Sequence, residues 1–98
     1  YLLGKVRINP ADAIFKVLQK LESVGAKVAG IPCNTSHAPE IFDVLMKRLK
    51  ENGNHIEVVN MIKEVAFFIK KYYPKVYSLG ILGTNGTIHS GVYTKILE

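Results

Sequence analysis

Apolar residues recur along this chain in alternating helical and strand-like patterns. Apolar positions three and four residues apart form stripes in four segments, which predicts four amphipathic helices. Between the stripes lie short, nearly continuous apolar runs, typical of strands buried on both faces of a parallel sheet. The predicted order is helix 10–24, strand 26–31, helix 39–51, strand 55–59, helix 61–73, strand 76–82 and helix 88–98, after a lead-in or short strand at 1–8.

Cap and turn residues mark the ends of these helices. Asn9 is the predicted N-cap of the first helix, with Pro10 at its first position, and Gly25 ends it. Asn60 is placed to cap the third helix, and Pro74 to stop it. Strict alternation with short loops predicts an α/β domain in three layers, with a parallel sheet between helices.

Composition narrows the class of protein. The 98 residues suit one small domain, and a net charge of +5 is expected on solvated helix faces, since no nucleic-acid motif accompanies it. No apolar run approaches the roughly 20 residues that span a bilayer, and no signal-peptide pattern is present. A single cysteine excludes an internal disulfide. We therefore expect a cytoplasmic protein that binds neither nucleic acid nor membrane.

Two loops each follow a predicted strand. The only cysteine, Cys33, lies in loop 32–37, and loop 83–87 is rich in Gly and Thr. The carboxyl ends of parallel strands meet at one edge of a sheet, where ligands bind, so both loops are expected to face one site. Cys33 also precedes a helix by a few residues, which lowers the pKa of a thiol.

Both loops also have structural interpretations. A lone cysteine is often a small buried residue, but the polar neighbours Asn34 and Thr35 favour a reactive thiol. Loop 83–87 is suited to bind carboxylate or phosphate through its N–H groups, or is a tight turn with Thr87 as a helix cap. A zinc site is not expected, because Cys33 and His37 lack a second pair of ligands.

The remaining candidates are less specific. His37 is either a group that orients or protonates something near Cys33 or a surface residue of a capped helix. His89 is expected in the first turn of the last helix, and Tyr93 one turn beyond it. A tyrosine-phosphatase loop is excluded, because position 39 is Pro where that loop needs Arg.

Two motifs carry a resemblance to a known family. Residues 31–37, IPCNTSH, resemble the PCNTxH signature of the aspartate racemase branch of the aspartate/glutamate racemase superfamily. Residues 80–93, GILGTNGTIHSGVY, are similar to that family's GLLGTxGTxxSGxY segment. The separation of the motifs and the helices between them also match, so the resemblance covers nearly the whole chain.

The resemblance implies a function and a set of site residues. Members are amino-acid racemases that need no pyridoxal phosphate, other cofactor or metal, with two flavodoxin- or Rossmann-like α/β domains. Two cysteines flank the substrate Cα, and Cys33 matches one of them. The implied substrate is a small amino acid or dicarboxylate. The residues matched to substrate binding are Asn34, Thr35, Thr84, Gly86 and Thr87, with His37, His89 and Tyr93 behind them.

The chain departs from the family in one respect. The second cysteine belongs to a downstream GCTE-like segment that is absent here, as is the Gly-rich N-terminal opening. We expect a fragment that is inactive alone, with 1–75 as most of the first domain. Residues 76–98 would open the second domain, packed on the first or swapped with a partner.

The missing second cysteine and the incomplete sheet suggest a partner chain and several alternative functions. Open sheet edges predict a homodimer. The alternatives are a non-catalytic remnant or a carboxylate-binding module, or His89 as the second acid/base. An arylmalonate decarboxylase is disfavoured, because that family retains the downstream cysteine.

Overall fold

Helices and strands alternate along most of the chain. The computed structural model describes residues 8–97, so the expectation for residues 1–7 lies outside the described residues. Two parallel strands and five helices place this part of the chain in the mixed helix-and-strand class, consistent with a small α/β fold. The elements are α1 Ala11–Ser23, β1 Val28–Gly30, α2 Pro39–Glu51, β2 Glu57–Val59, α3 Met61–Tyr72, α4 Asn85–Ser90 and α5 Val92–Leu97, with a 3-10 turn Thr35–His37 before α2.

The residues predicted to cap the first and third helices lie at those helix ends, but the N-cap position of α1 is Pro10 and not Asn9. The Asn9 carboxamide oxygen accepts a hydrogen bond of 2.9 Å from the backbone N–H two residues on, although α1 begins one residue later than predicted. Gly25 follows α1 with φ +102°, a conformation that favours glycine. Asn60 accepts hydrogen bonds from the N–H groups of Ile62 and Lys63, at 3.0 and 3.1 Å. These local signals are reliable because the cap and its partners are neighbours in sequence.

The core lies on one face of the two-stranded sheet. β1 and β2 are parallel, with Ala29 opposite Val58. Both side chains pack against a cluster built mainly from α1 and α2, in which Leu45 is 0% exposed. The buried cluster consists of Ala11, Leu18, Ile41, Leu45, Leu49 and Ile56. This core supports β1, which leads directly into the Cys33 loop.

A carboxylate ties the end of α1 to the start of β2. Glu22 accepts a hydrogen bond of 2.7 Å from the His55 N–H, another from the Ile56 N–H, and one of 3.0 Å from the Asn54 side chain. The Asn54 hydrogen bond is the main reason that the pKa of Glu22 is lowered. Glu22 therefore holds the end of α1 against the start of β2, the strand that pairs with β1.

The predicted third strand is wrong. Residues 76–82 form no strand in the described structure, and both Tyr77 and Leu82 are almost fully exposed, at 99% and 98%. A strand needs a neighbour that pairs with its backbone groups, and the described sheet contains only β1 and β2. The apolar run at 76–82 therefore has strand-like composition without a pairing partner.

The predicted last helix is also different. It begins at Asn85 instead of residue 88, and Gly91 divides it into α4 and α5. The φ of Gly91 is +64°, a left-handed conformation that ends α4 and turns the chain. Within residues 8–97, α5 packs on α3, and α4 contacts the 3-10 turn. The assignment of residues 76–98 to a second domain stays a prediction.

The three-layer arrangement also stays a prediction. Val28 points away from the core and is 59% exposed, so the described residues do not bury both faces of the sheet as the apolar run suggested. No described helix has the length and apolar character needed to cross a lipid bilayer.

Candidate functional site

The Cys33 loop turns sharply as it leaves β1. The Cys33 N–H donates a hydrogen bond of 2.8 Å to the Ile31 carbonyl oxygen, and the 3-10 turn follows at once. Cys33 is exposed, and its Sγ lies 3.3 Å from the Thr35 hydroxyl oxygen. The turn thus presents the thiol to solvent beside a hydroxyl group.

Neighbouring hydroxyl groups favour the thiolate of Cys33. Hydrogen bonding from the Ser36 side chain, and next from the Thr35 side chain, lowers the pKa of the Cys33 thiol. Thr35 was predicted in the site, whereas Ser36 was missed. The sequence signal that could have identified Ser36 is its hydroxyl group, three residues after the cysteine at a strand-to-helix turn.

His37 supports the backbone of this loop. Its Nδ1 lies 2.8 Å from the Cys33 carbonyl oxygen, which can only accept, so Nδ1 carries the proton. The ring stacks on Phe42, with centroids 5.2 Å apart, and the residue is 4% exposed. Its Nε2 has no hydrogen-bond partner among the described residues. Of the two predicted interpretations, the orienting one fits this buried position.

The second loop is held by its own threonines. Thr84 is the N-cap of α4, and its Oγ1 accepts a hydrogen bond of 3.3 Å from the Thr87 N–H. The two hydroxyl oxygens lie 3.1 Å apart. Thr87 was the predicted cap, and that detail is wrong. Because Thr87 is only 3% exposed and Thr84 is exposed, Thr84 is the hydroxyl that a ligand would meet first.

The Cys33 loop contacts the C-terminal part of the chain at two points, one at Gly86 and one at Tyr93 of α5. A Cβ built on Gly86 would lie 3.0 Å from the Thr35 methyl carbon, so the backbone of one loop lies against a side chain of the other. The Tyr93 hydroxyl donates a hydrogen bond of 2.7 Å to the carboxamide oxygen of Asn34. The described chain therefore brings the loops together although the predicted strand before the second loop does not form.

His89 stands apart from this cluster. It lies in the last turn of α4, not in a first turn, and is exposed. Its side chain forms no hydrogen bond, ion pair or ring contact within residues 8–97. In the same part of the chain, no three His, Cys, Asp or Glu side chains come together as metal ligands.

The arrangement combines a reactive group with hydrogen-bond donors. Cys33 offers a thiol whose pKa is lowered, Asn34 and Thr35 offer an amide and a hydroxyl group in the same loop, and Thr84 offers a hydroxyl group in the adjoining loop. Such donors can bind a carboxylate and stabilise negative charge that develops on it. A thiolate at the same site can take up a proton.

Known proteins include one relative that covers most of this chain. It is the broad specificity amino-acid racemase RacX of Bacillus subtilis (strain 168), with 34% identity over 86 residues. The aligned part is 88% of this chain but 34% of the relative, so the chain spans about a third of the relative's length. No protein-family model and no solved structure matches. Over most of its length, the chain is therefore similar to part of an amino-acid racemase.

Proposed function

We propose that this chain carries one half of the active site of a cofactor-independent amino-acid racemase in the aspartate/glutamate racemase superfamily. Cys33 is one of two acid/base groups, and the substrate is a small amino acid such as aspartate. The observation that carries the proposal is the meeting of the Cys33 loop, whose thiol has a lowered pKa, with the Thr84–Thr87 loop.

The proposed reaction exchanges a proton at the substrate Cα. The Cys33 thiolate takes the α-proton, so the C–H bond breaks and its electron pair moves towards the substrate carboxylate as an S–H bond forms. A second acid then delivers a proton to the opposite face of the Cα, which inverts the centre. Cys33 is the only cysteine of the 98 residues, so the second group is not a thiol of this sequence.

Charge stabilisation is the main task of the other residues. The α-proton of an amino acid is very weakly acidic, so the charge that develops on the carboxylate needs preorganised donors. Asn34, Thr35 and Thr84 supply amide and hydroxyl donors in this proposal, while Gly86 permits the close approach of the loops. Thr87 is buried against Thr84 and acts through it.

The test is α-proton exchange in D₂O. The purified chain is incubated with L-aspartate, and then with a panel of L-amino acids, because the relative is named for broad specificity. Proton NMR measures loss of the α-proton signal, and circular dichroism measures loss of optical activity. We expect Cys33→Ala to lower any exchange rate by about 10²–10⁴-fold, the usual contribution of general acid–base catalysis.

The matched control keeps the loop and removes only its base. Cys33→Ser preserves size and hydrogen bonding but has no accessible anion at neutral pH, so it should be as slow as Cys33→Ala. A measurable exchange rate that is equal in the parent chain and in both variants would refute the assigned role of Cys33.

A carboxylate-binding module is the second candidate. The observation that favours it is the single cysteine, because inversion with two thiols needs another. If the chain binds malonate but catalyses neither α-proton exchange nor loss of optical activity with the L-amino acids, the carboxylate-binding module would be supported over the racemase.

The homodimer and the cytoplasmic location stay part of the proposal. The dimer rests on the open edges expected of an incomplete parallel sheet. Light scattering at micromolar concentration tests it, and the mass of a single chain would contradict it.

A further inference from the structure

The hydrogen bond between Tyr93 and Asn34 joins parts of the chain that lie 59 residues apart. The phenol donates to the Asn34 carboxamide oxygen at 2.7 Å, within the range of a good O–H···O hydrogen bond. Asn34 lies directly after Cys33, at the N-cap of the 3-10 turn. Tyr93 therefore acts on the residue next to the candidate acid/base group, Cys33.

The surrounding fold fixes the position of Tyr93. Gly91, with φ +64°, turns the chain between α4 and α5. The next residue, Val92, is buried and lines a cavity together with His37 and Ile62. The Tyr93 ring lines a separate cavity of about 200 Å³ with Ile69 and Leu97. The ring has apolar neighbours, so its hydroxyl is the part that needs a polar partner.

The direction of this hydrogen bond decides what Asn34 can offer to a ligand. A carboxamide has one accepting oxygen and one donating NH₂ group, and it can turn by half a rotation to exchange them. Because Tyr93 donates to the oxygen, the Asn34 Nδ2 group is the one available to a ligand, and it has no hydrogen-bond partner among residues 8–97. A carboxylate only accepts hydrogen bonds, so it binds this orientation and is repelled by the opposite one.

We propose that Tyr93 is a positioning residue that locks the Asn34 carboxamide with its N–H groups available to a ligand carboxylate. The inference rests on the proposed function for the identity of the ligand, but it concerns binding and can be tested without catalysis. Packing of the Tyr93 ring does not require a hydroxyl group, so the proposal gives that hydroxyl a role of its own.

The test uses malonate, a dicarboxylate that cannot racemise. Calorimetry measures its affinity, and ¹⁵N-resolved NMR follows the Asn34 side-chain NH₂ signals. In the parent chain, we expect malonate to shift both Asn34 signals. We expect Tyr93→Phe, which keeps the ring and removes the hydroxyl, to weaken binding roughly threefold to tenfold, as loss of one hydrogen bond does.

Two further variants separate orientation from folding. Asn34→Asp still accepts from Tyr93 but has no N–H group, so it should abolish malonate binding. Tyr77→Phe is the matched control, because Tyr77 is 99% exposed and should bind malonate like the parent chain. If exchange is detectable, Tyr93→Phe should raise KM more than it lowers kcat.

The outcomes are distinct for the two proposals. Equal malonate affinity in the parent chain and Tyr93→Phe, or no malonate binding by the parent chain, would overturn the role of Tyr93. A shift of the Asn34 signals that Tyr93→Phe weakens, without α-proton exchange in any sample, would support the role of Tyr93 and count against racemisation.

Discussion

The Cys33 loop and the Thr84–Thr87 loop lie against each other, yet different structures support them. The first leaves β1, which is paired with β2 and packs on the core through Ala29. The second follows residues 76–82, which form no strand in the described structure. The position of the second loop therefore depends on contacts that it and α5 make with the first loop and with α3.

This difference has a consequence for stability. Contacts of the first loop are backed by buried apolar area, which is the main source of folding free energy. The second loop relies on a few hydrogen bonds, one close backbone approach and the packing of the short helix α5 on α3. Loss of the core should disturb both loops, whereas loss of an interloop contact should leave the backbone of the first loop in place.

The largest effect is expected from the core. Leu45 is 0% exposed, so Leu45→Ala should lower the free energy of unfolding by about 2–5 kcal/mol. Leu82 is 98% exposed, and Leu82→Ala should change it by no more than about 0.5 kcal/mol. Urea denaturation followed by circular dichroism measures both. Equal losses would mean that residues 76–82 are buried in solution.

A smaller effect is expected where the loops touch. Gly86→Ala places a methyl group 3.0 Å from the Thr35 methyl carbon, which is tighter than an ordinary contact, so the Thr35 side chain must move. We expect overpacking to cost about 1 kcal/mol and to weaken malonate binding, as calorimetry would measure.

The matched variants for Gly86 test the contact itself. Thr35→Ser removes the opposing methyl group and keeps the hydroxyl, so it should relieve the effect of Gly86→Ala. Gly80→Ala meets nothing within 4 Å and should have no effect on binding. If Thr35→Ser fails to restore binding, the two loops are not in contact at this point.

The smallest effect concerns the thiol. Because hydrogen bonds from Ser36 and Thr35 lower the pKa of Cys33, its thiolate forms at a lower pH than that of an ordinary cysteine. The rate of alkylation by iodoacetamide should therefore reach half of its maximum below the pH found for the urea-unfolded chain. As the pH falls through the folded pKa, the thiolate is protonated and the rate declines.

Two substitutions separate the effects of the Ser36 and Thr35 hydrogen bonds on the pKa of Cys33. Ser36→Ala should raise the midpoint more than Thr35→Val does, because Ser36 is the larger cause. Thr35→Val keeps the methyl group that faces Gly86, so it leaves the interloop contact in place. A midpoint equal to that of the unfolded chain would contradict the lowered pKa.

The sequence by itself determined the elements whose signals are local. The apolar stripes and the caps at Asn9, Gly25 and Asn60 predicted α1 to α3 within a residue or two. The short apolar runs located β1 and β2, and the turn chemistry around Cys33 identified the loop between β1 and α2. These predictions succeed because each depends on residues within about one helical turn of one another.

Only the tertiary structure decided the features that depend on distant partners. Residues 76–82 have strand-like composition, but a strand forms only where a neighbouring backbone pairs with it. The hydrogen bond from Tyr93 to Asn34 spans 59 residues, and the Glu22 carboxylate reaches the start of β2 from α1. No spacing in the sequence encodes such pairs, because packing of the whole chain sets which side chains come within hydrogen-bond distance.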